Sequence, residues 1–257
     1  MAEIIVALDV PTAAEARRMV ERLGPDLDFV KVGLELYTRE GPGVVRMLRE
    51  QGLRVFLDLK FHDIPTTVAS AVRSARDLGV EFLTVHASGG GRMLEAALKA
   101  ALGDEAANHP PRPEARTVPG GQVPGCRLLA VTVLTSMDGG EVARAWGRDP
   151  EDLQPEAEVL RLAGLARDAG VTGVVASPRE APALRRLLGP EAAVVTPGIR
   201  FAGGARHDQV RIATPADAVS RGASHLVMGR AITGDPEPAL ALERARREVD
   251  TALEVAR

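Results

Sequence analysis

The run Ile4-Ile5-Val6-Ala7-Leu8-Asp9-Val10-Pro11 is five apolar residues, then an aspartate and, two places on, a proline. A short apolar run without helical spacing reads as a buried strand. The turn after this strand decides the architecture. A doubly wound open sheet carries a glycine-rich turn after its first strand, and Asp9-Val10-Pro11 contains no glycine. The competing architecture is a closed barrel of parallel strands, which needs the strand–helix unit eight times in about 250 residues.

Outward from this run, the unit recurs. Thr12 is suited to cap a helix reaching Leu23, with Glu15 at its third position. Further strands are expected at Phe29–Gly33, Arg54–Lys60, Glu81–His86, Arg127–Leu134, Val171–Ala176, Ala193–Thr196 and Ser224–Met228. Helices are expected over Gly43–Glu50, Thr66–Leu78, Gly91–Leu102, Gly140–Ala145, Pro155–Asp168, Arg179–Leu188, Pro215–Arg221 and Pro236–Val255, many of them stopped by a glycine. The expectation is an α/β chain folded as one (β/α)8 TIM-type barrel over residues 1–257. One segment breaks the rhythm. Residues 104–125 are rich in proline, glycine and arginine and read as a surface insertion on the face away from the chemistry.

Composition narrows the function classes. The 257 residues carry a formal net charge of −3, with 45% hydrophobic and 26% charged residues, an ordinary globular mixture. A disordered, collagen-like or coiled-coil chain is excluded, and the lack of a basic block argues against a nucleic-acid partner. Cys126 is the only cysteine, so neither an intrachain disulfide nor a cysteine-rich metal site can form. No apolar run has membrane-spanning length and no signal peptide is evident, so the expectation is a cytoplasmic protein without a membrane partner. Only three of the 32 basic residues are lysines: Lys31, Lys60 and Lys99. Lysine can give up a proton and recover it, whereas arginine keeps its charge. The retained lysines therefore mark places where arginine does not serve.

In such barrels the working residues sit at the C-terminal ends of the strands. The densest polar segment there is Phe56-Leu57-Asp58-Leu59-Lys60-Phe61-His62-Asp63-Ile64-Pro65. Strand alternation puts Asp58 and Lys60 on one face, toward the barrel mouth, with Asp63 coming after them as the chain turns. Together with Lys31 from the neighbouring strand, the expectation is an alternating set of two cations and two anions. A lysine held between carboxylates stays protonated and is placed to donate a proton to a basic carbon. The same charges can also do no more than close the barrel end as ion pairs. His62 is out of phase with this pair and gets a supporting role, and His86, ending strand four, is expected to be structural.

A second region is late in the chain. Thr196-Pro197-Gly198-Ile199-Arg200 comes after strand seven and Gly229-Arg230 after strand eight, the usual place for a phosphate in this fold. Between them, Phe201–Arg211 contains Gly203-Gly204 and Gln209 and reads as a lid-type loop.

The run Asp58-x-Lys60-x-x-Asp63 with Ile64-Pro65 after it resembles the orotidine 5'-phosphate decarboxylase family, bacterial branch, and the resemblance extends over nearly the whole chain except residues 104–125. It implies decarboxylation of orotidine 5'-phosphate to UMP and CO2 in de novo pyrimidine synthesis, without cofactor or metal. Lys60 is implied as proton donor and Asp58 as the carboxylate beside the leaving CO2. Asp63, with Ile64 and Thr67, is implied to reach the partner's site in a homodimer. Asp9 and Lys31 are implied to hold the ribose hydroxyls, Thr135 to lie at the base, and Pro197, Arg200, Gln209, Gly229 and Arg230 to bind base and phosphate. Three rivals use the same residues. In a Mg-dependent phosphosugar decarboxylase or synthase, Asp9, Glu35, Asp58 and Asp63 would ligate the metal, although Lys31 puts a cation inside that site. A Schiff-base aldolase would use Lys60, and a phosphate-ligand sensor would use only the binding groups.

Overall fold

The computed structural model describes residues 2–103, 126–149, 151, 153–203 and 213–255. The expected insertion at 104–125 and Gln209 lie outside the described residues. Eight strands close into a parallel barrel in chain order: β1 (Glu3–Ala7), β2 (Phe29–Val32), β3 (Arg54–Phe61), β4 (Phe82–His86), β5 (Arg127–Val131), β6 (Gly173–Val175), β7 (Ala193–Thr196) and β8 (His225–Met228). The helices outside it are α1 (Ala13–Leu23), α2 (Leu34–Glu40), α3 (Pro42–Glu50), α4 (Pro65–Arg76), α5 (Gly91–Leu102), α6 (Gly139–Ala145), α7 (Pro155–Asp168), α8 (Ala181–Leu188), α9 (Pro215–Ser220), α10 (Arg230–Thr233) and α11 (Pro238–Val255). Every expected strand is present, with ends displaced by up to three residues. Thr12 caps α1 as expected, its hydroxyl accepting the N–H of Glu15 at 3.2 Å.

Two short helices lie outside the sequence expectation. α2 buries only Leu36 and is cut from α3 by Gly41 at φ 64°, a left-handed conformation that glycine adopts without steric cost. With one buried position it shows no apolar stripe to read. α10 is four residues long, below any readable periodicity.

Alternation sorts the side chains into two apolar bodies. Ile5, Ala7, Phe29, Phe56, Phe82, Leu129, Ala193, Val195 and Val227 fill the barrel interior, while the larger cluster packs strands against helices. Phe29, Phe56 and Phe82 form the middle layer, with Phe56 and Phe82 edge to face at 6.0 Å. This apolar layer separates two polar ends. At the N-terminal end, Arg54 reaches Glu3, Glu81 and Asp28 and stacks over Phe29 at 4.2 Å. Burial works against the Arg54 charge, but hydrogen bonds and attraction from Glu81 and Glu3 outweigh it and hold the guanidinium more firmly protonated. Beside it His225 is buried against Phe82, which pushes its imidazole down to about 4. Cys126 is buried at the start of β5, and that burial raises its thiol to about 12, as suits a packing residue. No helix of the described residues is long and apolar enough to cross a membrane.

Candidate active site

The interior positions that fill the barrel with phenylalanine lower down become charged one or two residues further along the same strands. On β2 the inward sequence is Phe29 then Lys31; on β3 it is Phe56 then Asp58; on β1 it is Ile5, Ala7 and then Asp9 beyond the strand end. Lys31 Nζ is 3.0 Å from Asp9 Oδ1 and 4.0 Å from Asp58 Oδ2, and Lys60 Nζ is 2.8 Å from Asp58 Oδ1. The result is a chain of alternating charge, Asp9–Lys31–Asp58–Lys60. Lys31 is able to fold over because Gly33 lies beneath it; a Cβ there would stand 3.0 Å from the ammonium.

This corrects the expected composition of the charge set. Asp63 is not its second anion within one chain. It sits exposed on the turn after β3, its carboxylate accepting the N–H of Ile64 at 2.6 Å, and among the described residues it makes no ion pair. Asp9 takes that place. The physical reason is the path of β3. Simple alternation would carry residues 58, 60 and 62 along one face. Instead Leu57 pairs with Leu83 and Phe61 with Val85, so Asp58, Leu59 and Lys60 together face the single residue Thr84. The extra residues make a bulge, and Lys60 takes φ 51°, the only described non-glycine residue with positive φ. Asp58 and Lys60 do meet in the mouth, but through this bulge and not through regular alternation. Thr84 is the residue that sequence reading misses. Its hydroxyl accepts the N–H of Lys60 at 2.8 Å and donates to Asp58 at 3.0 Å. Threonine is common in strands, so nothing in Phe82-Leu83-Thr84-Val85 advertises it.

The charges line one side of a cavity of about 260 Å³. Val131, Val133, Leu134 and Val175 give it an apolar flank, Thr135 also lines it, and Pro197, Gly198, Arg200, Gly229 and Arg230 complete the wall, Gly229 next to Asp9. This last group joins the ends of β7 and β8. Gly229 is the residue before α10, and Arg200 is buried with its backbone N–H on Ala213 at 3.0 Å, which ties the two ends of the loop after β7. Phe201, at the start of that loop, lies under Arg244 of α11 at 4.2 Å. Ile64 and Thr67 are exposed beside Asp63, outside the cavity of their own chain. His62 and His86 stack with centroids 5.4 Å apart, and burial first, then its neighbours His62 and Lys60, lower the His86 imidazole below its ordinary value. A larger cavity of about 390 Å³ lies between α4 and α5, but among the described residues no carboxylate lines it. Size alone would favour that one; the charge arrangement favours the barrel mouth.

The carboxylates do not converge on a common point as a Mg2+ site requires. The Lys31 ammonium stands between Asp9 and Asp58, Asp63 faces away, and among the described residues no group of three or more His, Cys, Asp or Glu is placed to hold a metal ion.

Comparison with known proteins agrees with this geometry. The sequence model of the orotidine 5'-phosphate decarboxylase / HUMPS family matches residues 2–245. The chain belongs to this family. Within the family, it is 48% identical over 248 residues to the orotidine 5'-phosphate decarboxylase of Moorella thermoacetica, covering 96% of this chain and 92% of the relative. It is 47% identical to that of Nitrosococcus oceani, covering 96% and 97%. The crystal structure of orotidine 5'-phosphate decarboxylase from Lactobacillus acidophilus superposes with a TM-score of 0.79 at 36% identity, covering 97% of this chain and 99% of that one. These family likenesses span both the barrel and its mouth.

Proposed function

We propose that this protein is a carboxy-lyase that decarboxylates orotidine 5'-phosphate to UMP and CO2 in pyrimidine synthesis. The observation that carries the reading is the Lys60 ammonium docked on Asp58 at 2.8 Å in the wall of a cavity that is also lined by Gly198, Arg200, Gly229 and Arg230. Family membership supports the same conclusion.

The chemistry can be supplied by the residues present. Breaking the bond from C6 to the carboxylate leaves its electron pair in an in-plane orbital that the ring cannot delocalise. The Lys60 ammonium beside C6 stabilises that charge and then transfers a proton to carbon, leaving a neutral amine that recovers its proton from water. Charge fixed before the reaction costs no reorganisation during it. Asp58 repels the substrate carboxylate, and the repulsion ends as CO2 departs. At 4 Å and an effective dielectric of about 20 this is worth about 4 kcal/mol, against the ~8–23 kcal/mol that enzymes supply. Carbanion stabilisation by Lys60 is therefore the larger contribution. Asp9 and Lys31 bind the ribose hydroxyls, Thr135 and Pro197 flank the base, and Arg200, Gln209, Gly229 and Arg230 hold base and phosphate. Binding energy from the phosphate, remote from C6, holds the ring against the charges. No step in this scheme calls on a cofactor.

The chain works as a single barrel and pairs with a second copy. Asp63, Ile64 and Thr67 are the residues that enter the partner's site; Ile64, 64% exposed, sits beside the mouth, where an apolar side chain gains by being covered. The reading is tested by monitoring the loss of ultraviolet absorbance of orotidine 5'-phosphate with and without a chelator. Equal loss in both is expected. Loss only without chelator would show that the reaction needs a metal ion, and no loss in either would overturn the reading in favour of its rivals.

A further inference from the structure

One polar side chain in the barrel mouth has no part in the decarboxylation chemistry of Lys60 and Asp58. Thr84 is completely buried on the inward face of β4, between Phe82 below and His86 above. It is the single β4 residue set against Asp58, Leu59 and Lys60 of the bulge. A left-handed conformation is unfavourable for a residue with a Cβ, so Lys60 at φ 51° must be held there by its surroundings. The hold is visible. Thr84 Oγ1 accepts the Lys60 backbone N–H at 2.8 Å. A hydroxyl has one proton to give, and here it goes to Asp58 Oδ1 at 3.0 Å, the same oxygen that receives the Lys60 ammonium at 2.8 Å. One hydroxyl thus grips the backbone of the proton donor and the carboxylate on which that donor rests.

We infer that Thr84 is a positioning residue for the decarboxylation: it fixes the left-handed backbone of Lys60 and the orientation of Asp58, and so aims the ammonium at the reacting carbon. The inference rests on the decarboxylase reading of the site. It differs from a packing role because both hydrogen bonds belong to the hydroxyl and neither to the methyl group.

The test compares Thr84→Val, which keeps the shape and loses the hydroxyl, with Thr84→Ser, which keeps it. A displaced reacting group costs on the order of 10- to 100-fold, and kcat of Thr84→Val is expected to fall by about that much. KM for orotidine 5'-phosphate and the Kd of UMP should move by less than about threefold, since the groups that hold phosphate and ribose are untouched. Thr84→Ser should recover kcat to within about threefold of the parent. A crystal structure of Thr84→Val should show Lys60 out of its left-handed conformation or its ammonium off Asp58. The inference is overturned if kcat of Thr84→Val is nearly unchanged, if Thr84→Ser is equally impaired, or if UMP affinity falls in parallel with kcat. If Thr84→Val does not fold, Thr84→Ala is read in the same way. If the parent protein releases no CO2, the decarboxylase reading fails and takes the catalytic part of the inference with it, while the variant crystal structure still decides the hold on Lys60: Lys60 unmoved refutes that hold, and Lys60 displaced upholds it.

Discussion

The two ends of the barrel each hold a cluster of charge, and they are built on opposite plans. The clusters are shielded to a similar degree: the Arg54 and Glu81 side chains are 27% and 25% exposed, those of Lys60 and Asp58 29% and 15%. Burial is therefore not what separates them. At the N-terminal end, Arg54 meets both oxygens of Glu81 at 2.6 Å, reaches Glu3 and stacks on Phe29. A planar fork matched to carboxylates in this way fixes geometry. At the C-terminal end, the cations paired with Asp9 and Asp58 are lysines. The Lys60 ammonium has three donors, and its one ion-pair partner among the described residues is Asp58. Its backbone is strained where that of Arg54 is regular strand. One end is arranged to satisfy its own charges and the other to meet a charge that arrives.

The comparison can be broken most sharply at Lys60. Lys60→Ala removes the ammonium proposed as proton donor and fixed cation, and turnover should fall by about 10⁴-fold or more, while UMP affinity changes far less. Lys60→Arg should restore little, because guanidinium retains its proton. A rate near that of the parent in either variant, measured by absorbance, would refute the division between the two ends.

At the other end the effect should appear in stability and not in rate. Arg54→Met takes the guanidinium away from Glu3 and Glu81, a loss of about 3 kcal/mol in unfolding free energy by denaturant titration. Its kcat should stay within about twofold of the parent, since sites this far apart act independently. A large fall in kcat at unchanged stability would show that the two ends are coupled.

His225 sharpens the same point through pH. Its folded pKa of about 4 lies below the ordinary 6.5. The unfolded chain thus binds the extra proton first as pH falls, and the native state is progressively destabilised between those values. Each unit is worth about 1.4 kcal/mol, so the parent should lose about 3 kcal/mol more than His225→Asn between pH 6.5 and pH 4. Parallel stability curves for the two proteins would show that His225 is not the group responsible.

Much of this molecule is legible from its residues because alternation and capping are local. The run at Ile4 and the Thr12 cap each state their structure within a few neighbours. The features that escape reading depend on pairing between strands. The bulge at Asp58–Lys60 exists only relative to β4, so neither the left-handed Lys60 nor the role of Thr84 shows in β3 alone. Asp63 suggests itself for the charge set because it is near in sequence, whereas Asp9, from another strand, fills that place in space. α2 is invisible to periodicity because burying one residue leaves no pattern.

The backbone at Lys60 sets conformational preference and chemistry against each other. Glycine or asparagine would suit that torsion better than lysine does. A library sorted only for tolerance to heat would therefore drift away from lysine at position 60, and would improve the barrel by discarding the ammonium it is built to carry.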